Sequence, residues 1–373
     1  MPKQIQLRRG TTTQHATFTG AEGEVTMDTD KKTLVVHDGA RAGGYPLALP
    51  TSFALNLGNL VLVDAVNGNN ATAQRGQMQW PFLTLSAAQA AAVAGDTILV
   101  LPGTYHDVNL AKDGVNWHFL AGAVVEADGG PDLALFDTGP LNAGSPATFK
   151  VTGHAVFRVS EASGSVAVVS SLQATDDIAL ECDAIESFVP AVIAHGQLRL
   201  VCPYISVSDY PAIRLGADCT ATCHLGQVLA PADGGIEIDG ATATISVDDL
   251  QAGVNAVSFA NGFLDLTAGQ ISSTAGRAVF YNVGFGGICR IRGARLVNSS
   301  DAAGPVTVNY GGYPASRLEL ANCHLVSLGA AAASIDAAAA TNVYLYGEST
   351  ANKAKHANIT LVGGALTVDA NLI

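Results

Sequence analysis

Between about Thr97 and Gly347 the apolar residues recur in short runs separated by polar and glycine-rich turns, with no long helical pattern between them. Placing Ile193, Ile213, Ile236, Val257, Val279 and Val306 in one column gives steps of 20, 23, 21, 22 and 27 residues, each the difference of neighbouring numbers. A second column runs through Leu198, Ala243, Leu264 and Leu318, and a third through Ile205, Val228, Val247, Ile271, Leu296 and Leu325. Self-similarity at this period marks a repeat architecture whose units bury their apolar face only by stacking. Three short strands per lap predict an all-β parallel β-helix. Leucine-rich repeats have similar periods, but their fixed leucine and asparagine pattern is missing. A β-propeller would need blades of about 40 to 45 residues.

The pattern differs at the two ends. Glu24–Asp28 and Thr33–His37 flank the polar turn Thr29–Lys32, so residues 1–50 read as a small β unit built on a hairpin. Residues 51–96 read as a connector ending in a short helix. There Ser86 and Gln89 have capping-box spacing, and an alanine run to Ala94 stops at Gly95. Such a helix would cover the open end of a solenoid. Residues 97–347 form the β-helix, in which Ala330–Ala340 allows a short helix or a thin lap. Residues 348–373 read as a C-terminal cap or a segment pairing across an oligomer.

Composition narrows the classes. The 373 residues are 48% hydrophobic and only 14% charged, with 40 glycines, which suits stacked strands and narrow corners. The net charge of −13 leaves little to attract a phosphate backbone, so nucleic acid is not an expected partner. Six cysteines scattered through the solenoid lack the density of a disulfide framework, which fits synthesis in a reducing cytoplasm. The N-terminus has no apolar stretch after Arg8 and Arg9 that would make a signal peptide, and no apolar run approaches a membrane span of about 18 residues.

Two resemblances add specificity. The segments LRRGTTTQHATFTGAEGEVTMDTDKKTLVVHDG and GGYPLA resemble the N-terminal attachment module of bacteriophage tail-fibre and receptor-binding proteins of the major-tropism-determinant type. That resemblance implies a virion component, homotrimeric, docked through residues 1–50 on other virion proteins of the baseplate, tail or neck. Leu7, Arg8, Arg9, Phe18 and Asp38 are its attachment candidates. The second resemblance lies in the D-x-x-N-G-N loop from Asp64, Pro81-Phe82, the alanine-rich helix, Gly95-Asp96-Thr97-Ile98 and Pro102-Gly103-Thr104-Tyr105. These resemble the opening of pectate-lyase-like right-handed β-helices, a superfamily that holds sugar lyases, hydrolases and phage tailspikes.

Candidate chemistry is sparse. Glu237, Asp239, Asp248, Asp249 and Asp265 could come together on neighbouring laps, and paired carboxylates would suit glycoside hydrolysis. The alternative is solvated charge on faces and corners, and no catalytic residue is assigned. Asp64, Asn67 and Asn69 offer oxygen ligands for calcium or an Asx-rich turn. Cys219, Cys223 and His224 offer zinc donors, but no second pair lies at zinc-site spacing, and no metal or cofactor is expected. Aromatics in the later laps (Tyr204, Tyr210, Phe280, Tyr281, Phe285, Tyr310 and Tyr313) could stack on sugars. Tyr281, Phe285, Tyr310 and Tyr313 are the receptor-contact candidates, with a host surface glycan or protein as partner. The leading expectation is a structural fibre or tailspike without enzymatic activity. The alternatives are a polysaccharide depolymerase on the same body and a decoration fibre without receptor contact.

Overall fold

The computed structural model describes residues 7–47, 58–127, 134–139, 146–159, 167–281, 286–299, 308–310, 317–328, 335–337, 342–351, 359–361 and 365–368. The chain divides into two compact units, Met1–Asn56 and Leu57–Ile373.

In the first unit, strand β1 (Arg8–Gly10) leads into helix α1 (Thr12–Thr17). Strands β2 (Val25–Asp28) and β3 (Thr33–Val36) then form the expected antiparallel hairpin. Strand β4 (Tyr45–Pro46) pairs antiparallel with β3, and β1 lies parallel to β2. The helix was not anticipated, although Thr11 and Gln14 carry its signature. The Thr11 hydroxyl accepts from the Gln14 N–H, and the Gln14 side chain accepts from the Thr11 N–H, a capping box that satisfies two orphan donors.

The second unit is a parallel β-helix in which, among the described residues, every strand pairing is parallel and successive laps stack in register. Apolar columns fill it, and three of them show the pattern, one on each strand of the lap. One joins Leu180, Leu200, Cys223, Ile245, Leu266, Ile291 and Leu320. Another joins Phe157, Ile185, Ile205, Val228, Leu250, Ile271 and Leu296. The third joins Val192, Ile213, Ile236, Val257, Val279 and Val308. Each fully buried aliphatic side chain contributes about 1.5–3 kcal/mol relative to exposure, so the stacks dominate the stability. In the early laps the core is aromatic. Trp117 stacks on Phe119 with centroids 6.0 Å apart, and Phe136 meets Phe157 edge-on at 5.6 Å.

The observed register corrects three positions. Val192 occupies the column in place of Ile193, Val308 in place of Val306, and Leu250 in place of Val247. Side chains alternate along a strand, so a shift of one residue turns a side chain to the other face. Val192 is accordingly fully buried, and Ile193 is partly exposed.

The boundaries also move. Strand β5 (Leu60–Val63) pairs with β6 (Thr97–Val100), so the expected connector already contains the first lap. The outer edge of β5 is occupied by the intervening loop. The Gly76 N–H donates to Leu60 O, the Phe82 N–H to Leu62 O and the Asp64 N–H to Phe82 O, leaving less unpaired edge to recruit another strand. Helix α2 (Leu85–Ala91) inserts Leu85 and Ala88 into the core. Its cap is Thr84, whose hydroxyl accepts from the Ala87 N–H. Gln89 instead donates to the carbonyls of Asn109 and Ala111. Arg75 grips the buried Asp96 through Nε and Nη2, each at 2.5 Å. The Arg75 hydrogen bond holds the Asp96 carboxyl below its usual range against the opposing effect of burial.

At the other end, Glu348–Ala351 and Ala365–Val368 continue one stack, and Ile359–Leu361 continues another, so lap pairing persists past residue 347. Ile335–Ala337 is a strand in register with Val308–Tyr310, and the rest of the alanine-rich stretch 330–340 lies outside the described residues. Close stacking requires glycine at particular corners. At Gly153, φ is +103° and a Cβ would lie 2.1 Å from the Phe119 carbonyl oxygen, beside a register shift in the ladder.

Candidate functional site

The first unit carries a concavity of about 290 Å³ lined by Arg8, Arg9, Gly10, Gln14, His15, Phe18 and Thr26. Local structure explains how these residues meet. Strand β1 delivers the two arginines, the capping box turns the chain at Gly10, and α1 presents Gln14 and His15 over β2. The Arg8 guanidinium lies 5.0 Å from the Phe18 ring centroid and reaches Glu24 at 3.0 Å. Phe18 in turn meets the His37 ring edge-on at 5.2 Å. Leu7 is exposed and is not among the lining residues.

Beneath the concavity runs a hydrogen-bond chain whose proton positions follow from its ends. The Gly20 N–H can only donate, so His37 Nδ1 accepts at 3.3 Å. The neutral ring then carries its proton on Nε2 and donates to Thr26 Oγ1 at 2.9 Å. The Thr26 hydroxyl donates onward to His15 Nε2 at 2.8 Å, leaving His15 Nδ1–H to donate to the Thr11 carbonyl at 3.1 Å. Both imidazoles and the hydroxyl are buried, so this arrangement satisfies groups that would be costly to leave unpaired.

Two carboxylates hold turns around this centre. Burial pushes the Asp28 carboxyl up, but donors from the Lys31 N–H, the Thr12 hydroxyl and the Asp30 N–H outweigh it and the pKa is lowered. Asp38 is lowered by the N–H groups of Arg41 and Ala40 on its Oδ1. Asp38 thus folds its own turn and is not among the residues lining the concavity.

The receptor-contact candidates separate. Tyr281 is only 1% exposed; its ring lies 4.8 Å from that of Phe259 and its hydroxyl donates to Gly287 O at 3.0 Å. It is a core residue, because it sits at an inward position of its strand, so the expectation that it meets a receptor is corrected. Tyr310 is in backbone register with Tyr281, and Phe285 and Tyr313 lie outside the described residues. Phe280 is partly exposed beneath the Arg277 guanidinium at 4.9 Å.

A different outward patch forms where Gly287–Arg292, Arg317–Ala321 and Asn342–Tyr346 stack. Registers Arg290–Glu319–Tyr344 and Arg292–Ala321–Tyr346 place the small Ala321 between two long side chains. The resulting concavity of about 310 Å³ is lined by Arg290, Arg292, Arg317, Glu319, Ala321 and Tyr346. Sequence reasoning missed it, although Arg290 and Arg292 are two apart, the spacing that puts both on one face of a strand.

The remaining candidates do not assemble. Glu237 is held by Arg214 at 2.8 Å, Asp239 by Asn261, Asp249 by Gln227 and Gln251, and Asp265 by Arg292 and Arg290. Asp64 accepts from the N–H groups of Val66 and Asn67 and from the Asn67 side chain, which is the Asx turn. Cys223 lies in a core column, where burial pushes its thiol to about 12, while His224 faces outward and bonds Ser246 at 2.8 Å. Among the described residues no group of three or more His, Cys, Asp or Glu could hold a metal ion, and no helix is long and apolar enough to cross a membrane.

Comparison with known proteins bears on the first unit. No solved structure matches the chain. A tail fiber receptor-binding protein of Bordetella phage BPP-1 is 69% identical over 48 residues, a stretch that takes in 13% of this chain and 13% of that protein. Residues 5–41 match the family described as Major tropism determinant N-terminal domain, and that segment contains the whole hydrogen-bond chain and the lining of its concavity.

Proposed function

We propose that this chain is a structural protein of a phage or phage-like particle, a homotrimeric fibre anchored through its first unit and meeting the host surface with its β-helix. The observation that carries this reading is the 69% identity over 48 residues to a phage tail fiber receptor-binding protein. Arg8, Arg9 and Phe18, which line the concavity, are the attachment contacts. They combine charge and aromatic surface on a rigid frame, the composition that concentrates binding energy at interfaces. Three copies on one fibre would raise avidity without new contacts.

The β-helix acts as a binding scaffold and not as a depolymerase. The described contacts of Glu237, Asp239, Asp249 and Asp265 are to arginines and amides, whereas hydrolysis needs two carboxylates facing each other across a sugar at about 5–9.5 Å. Immunogold labelling of particles with an antibody against the full chain tests the reading, with label expected on a surface appendage. Label absent from particles would overturn it. A monomeric mass in solution would remove the trimer, and a shift of host polysaccharide to shorter chains would restore the depolymerase.

A further inference from the structure

We propose that the concavity formed by Arg290, Arg292, Arg317, Ala321 and Tyr346 binds an anionic sugar residue of a surface glycan. The inference rests on the receptor-contact reading above and names the site and ligand class within it. Three guanidiniums converge there against two carboxylates, Glu319 and Asp265, leaving a local excess of positive charge on a chain of net charge −13. An acidic ligand is repelled by the chain as a whole, so it needs such a local reversal of sign to be held.

The arginines are pre-aimed. Glu319, 5% exposed, accepts a hydrogen bond from Arg290 Nε at 2.6 Å and forms an ion pair with Arg317, so one carboxylate faces two guanidiniums. Arg292 is fixed by Asp265 at 2.9 Å. A guanidinium has five N–H donors, and the contacts described engage at most two groups of each, so donors remain for a carboxylate or phosphate. Arg317 also lies 4.2 Å from the Tyr344 ring centroid and donates to the Tyr346 hydroxyl. Partly exposed tyrosines beside arginines offer a ring face for a sugar and a charge for its acid group. Ala321, between Arg292 and Tyr346, leaves the notch into which one ring would fit.

A second ladder concavity, about 350 Å³ beside Arg158 and Glu186, lacks this character. Its single arginine is neutralised on both sides by Glu126 and Glu186, at 3.2 and 2.7 Å.

The test is titration of the full-length protein with oligogalacturonate, glucose 6-phosphate and a neutral malto-oligosaccharide. We expect one or both anions to bind, the neutral sugar not to bind, and affinity to fall with added salt. The two anions tell a carboxylate from a phosphate. Arg292→Gln and Ala321→Leu, the second filling the notch without removing a charge, should each weaken anion binding at least tenfold, and Arg214→Gln should leave it unchanged. No binding of either anion, or equal binding by both variants with unchanged thermal unfolding, would overturn the site. If the variants adsorb to host cells as well as the parent chain does, the site fails and the receptor reading stands. If anion binding behaves as expected but the chain is absent from particles, the site stands and the fibre reading fails.

Discussion

In residues 7–47 the buried centre is a run of hydrogen bonds from Gly20 through His37, Thr26 and His15 to Thr11, whereas in the β-helix it is stacked columns of aliphatic and aromatic side chains. The small unit has too few residues to bury much apolar surface, so polar groups with definite partners specify it. The solenoid accepts any apolar residue of suitable size at an inward position. Leu200, Cys223 and Ile245 follow one another in a single column. A polar centre of this kind demands particular residues at particular places, whereas a stacked column demands only a pattern. The family match, which falls on residues 5–41, fits this difference.

The contrast can be broken from either side. The largest effect is expected for Leu266→Ala, in a fully buried column position between Ile245 and Ile291, at about 2–5 kcal/mol. Hydrogen exchange should quicken across the neighbouring laps and stay unchanged in residues 7–47; exchange quickening equally in both would show that the units are not energetically separate. Next is Thr26→Val, which keeps the shape but removes the hydroxyl shared by the Nε2 atoms of His37 and His15, at about 1–3 kcal/mol for the buried polar link lost. Here exchange should quicken in residues 7–47 while the laps stay protected. A neutral outcome would mean that the hydrogen-bond chain does not specify the unit.

A third expectation concerns pH. Asp28 has a lowered pKa in the folded unit, so its contribution is fully present above the ordinary carboxylate value of about 3.9 and is lost as pH falls through the depressed folded value. The difference in melting temperature between the parent chain and Asp28→Asn should be constant above about pH 5 and close below about pH 4. A difference that instead grows on acidification would reverse the sign. The smallest effect is expected for Arg158→Ala on the solenoid surface. Its pairs with Glu126 and Glu186 are exposed and screened, so unfolding should shift by about 0–1 kcal/mol. A loss comparable to Leu266→Ala would mean that outward ladders, and not the columns, hold the laps together.

The sequence by itself determined the hairpin at Val25–Val36, the stacked-lap solenoid, and the inward placement of Leu198, Ala243, Leu264 and Leu318, because each follows from a local period or a turn signal. Only the tertiary structure decided the rest. The choice of Val192 over Ile193, or Leu250 over Val247, depends on how each lap closes, and neighbouring apolar residues satisfy the same coarse period. The inward turn of Tyr281 has the same origin. Arg290, Arg317 and Tyr346 come from three laps, so no spacing within one lap announces that they meet. Contacts between laps pass through corners of variable length, and the sequence carries no fixed offset for them.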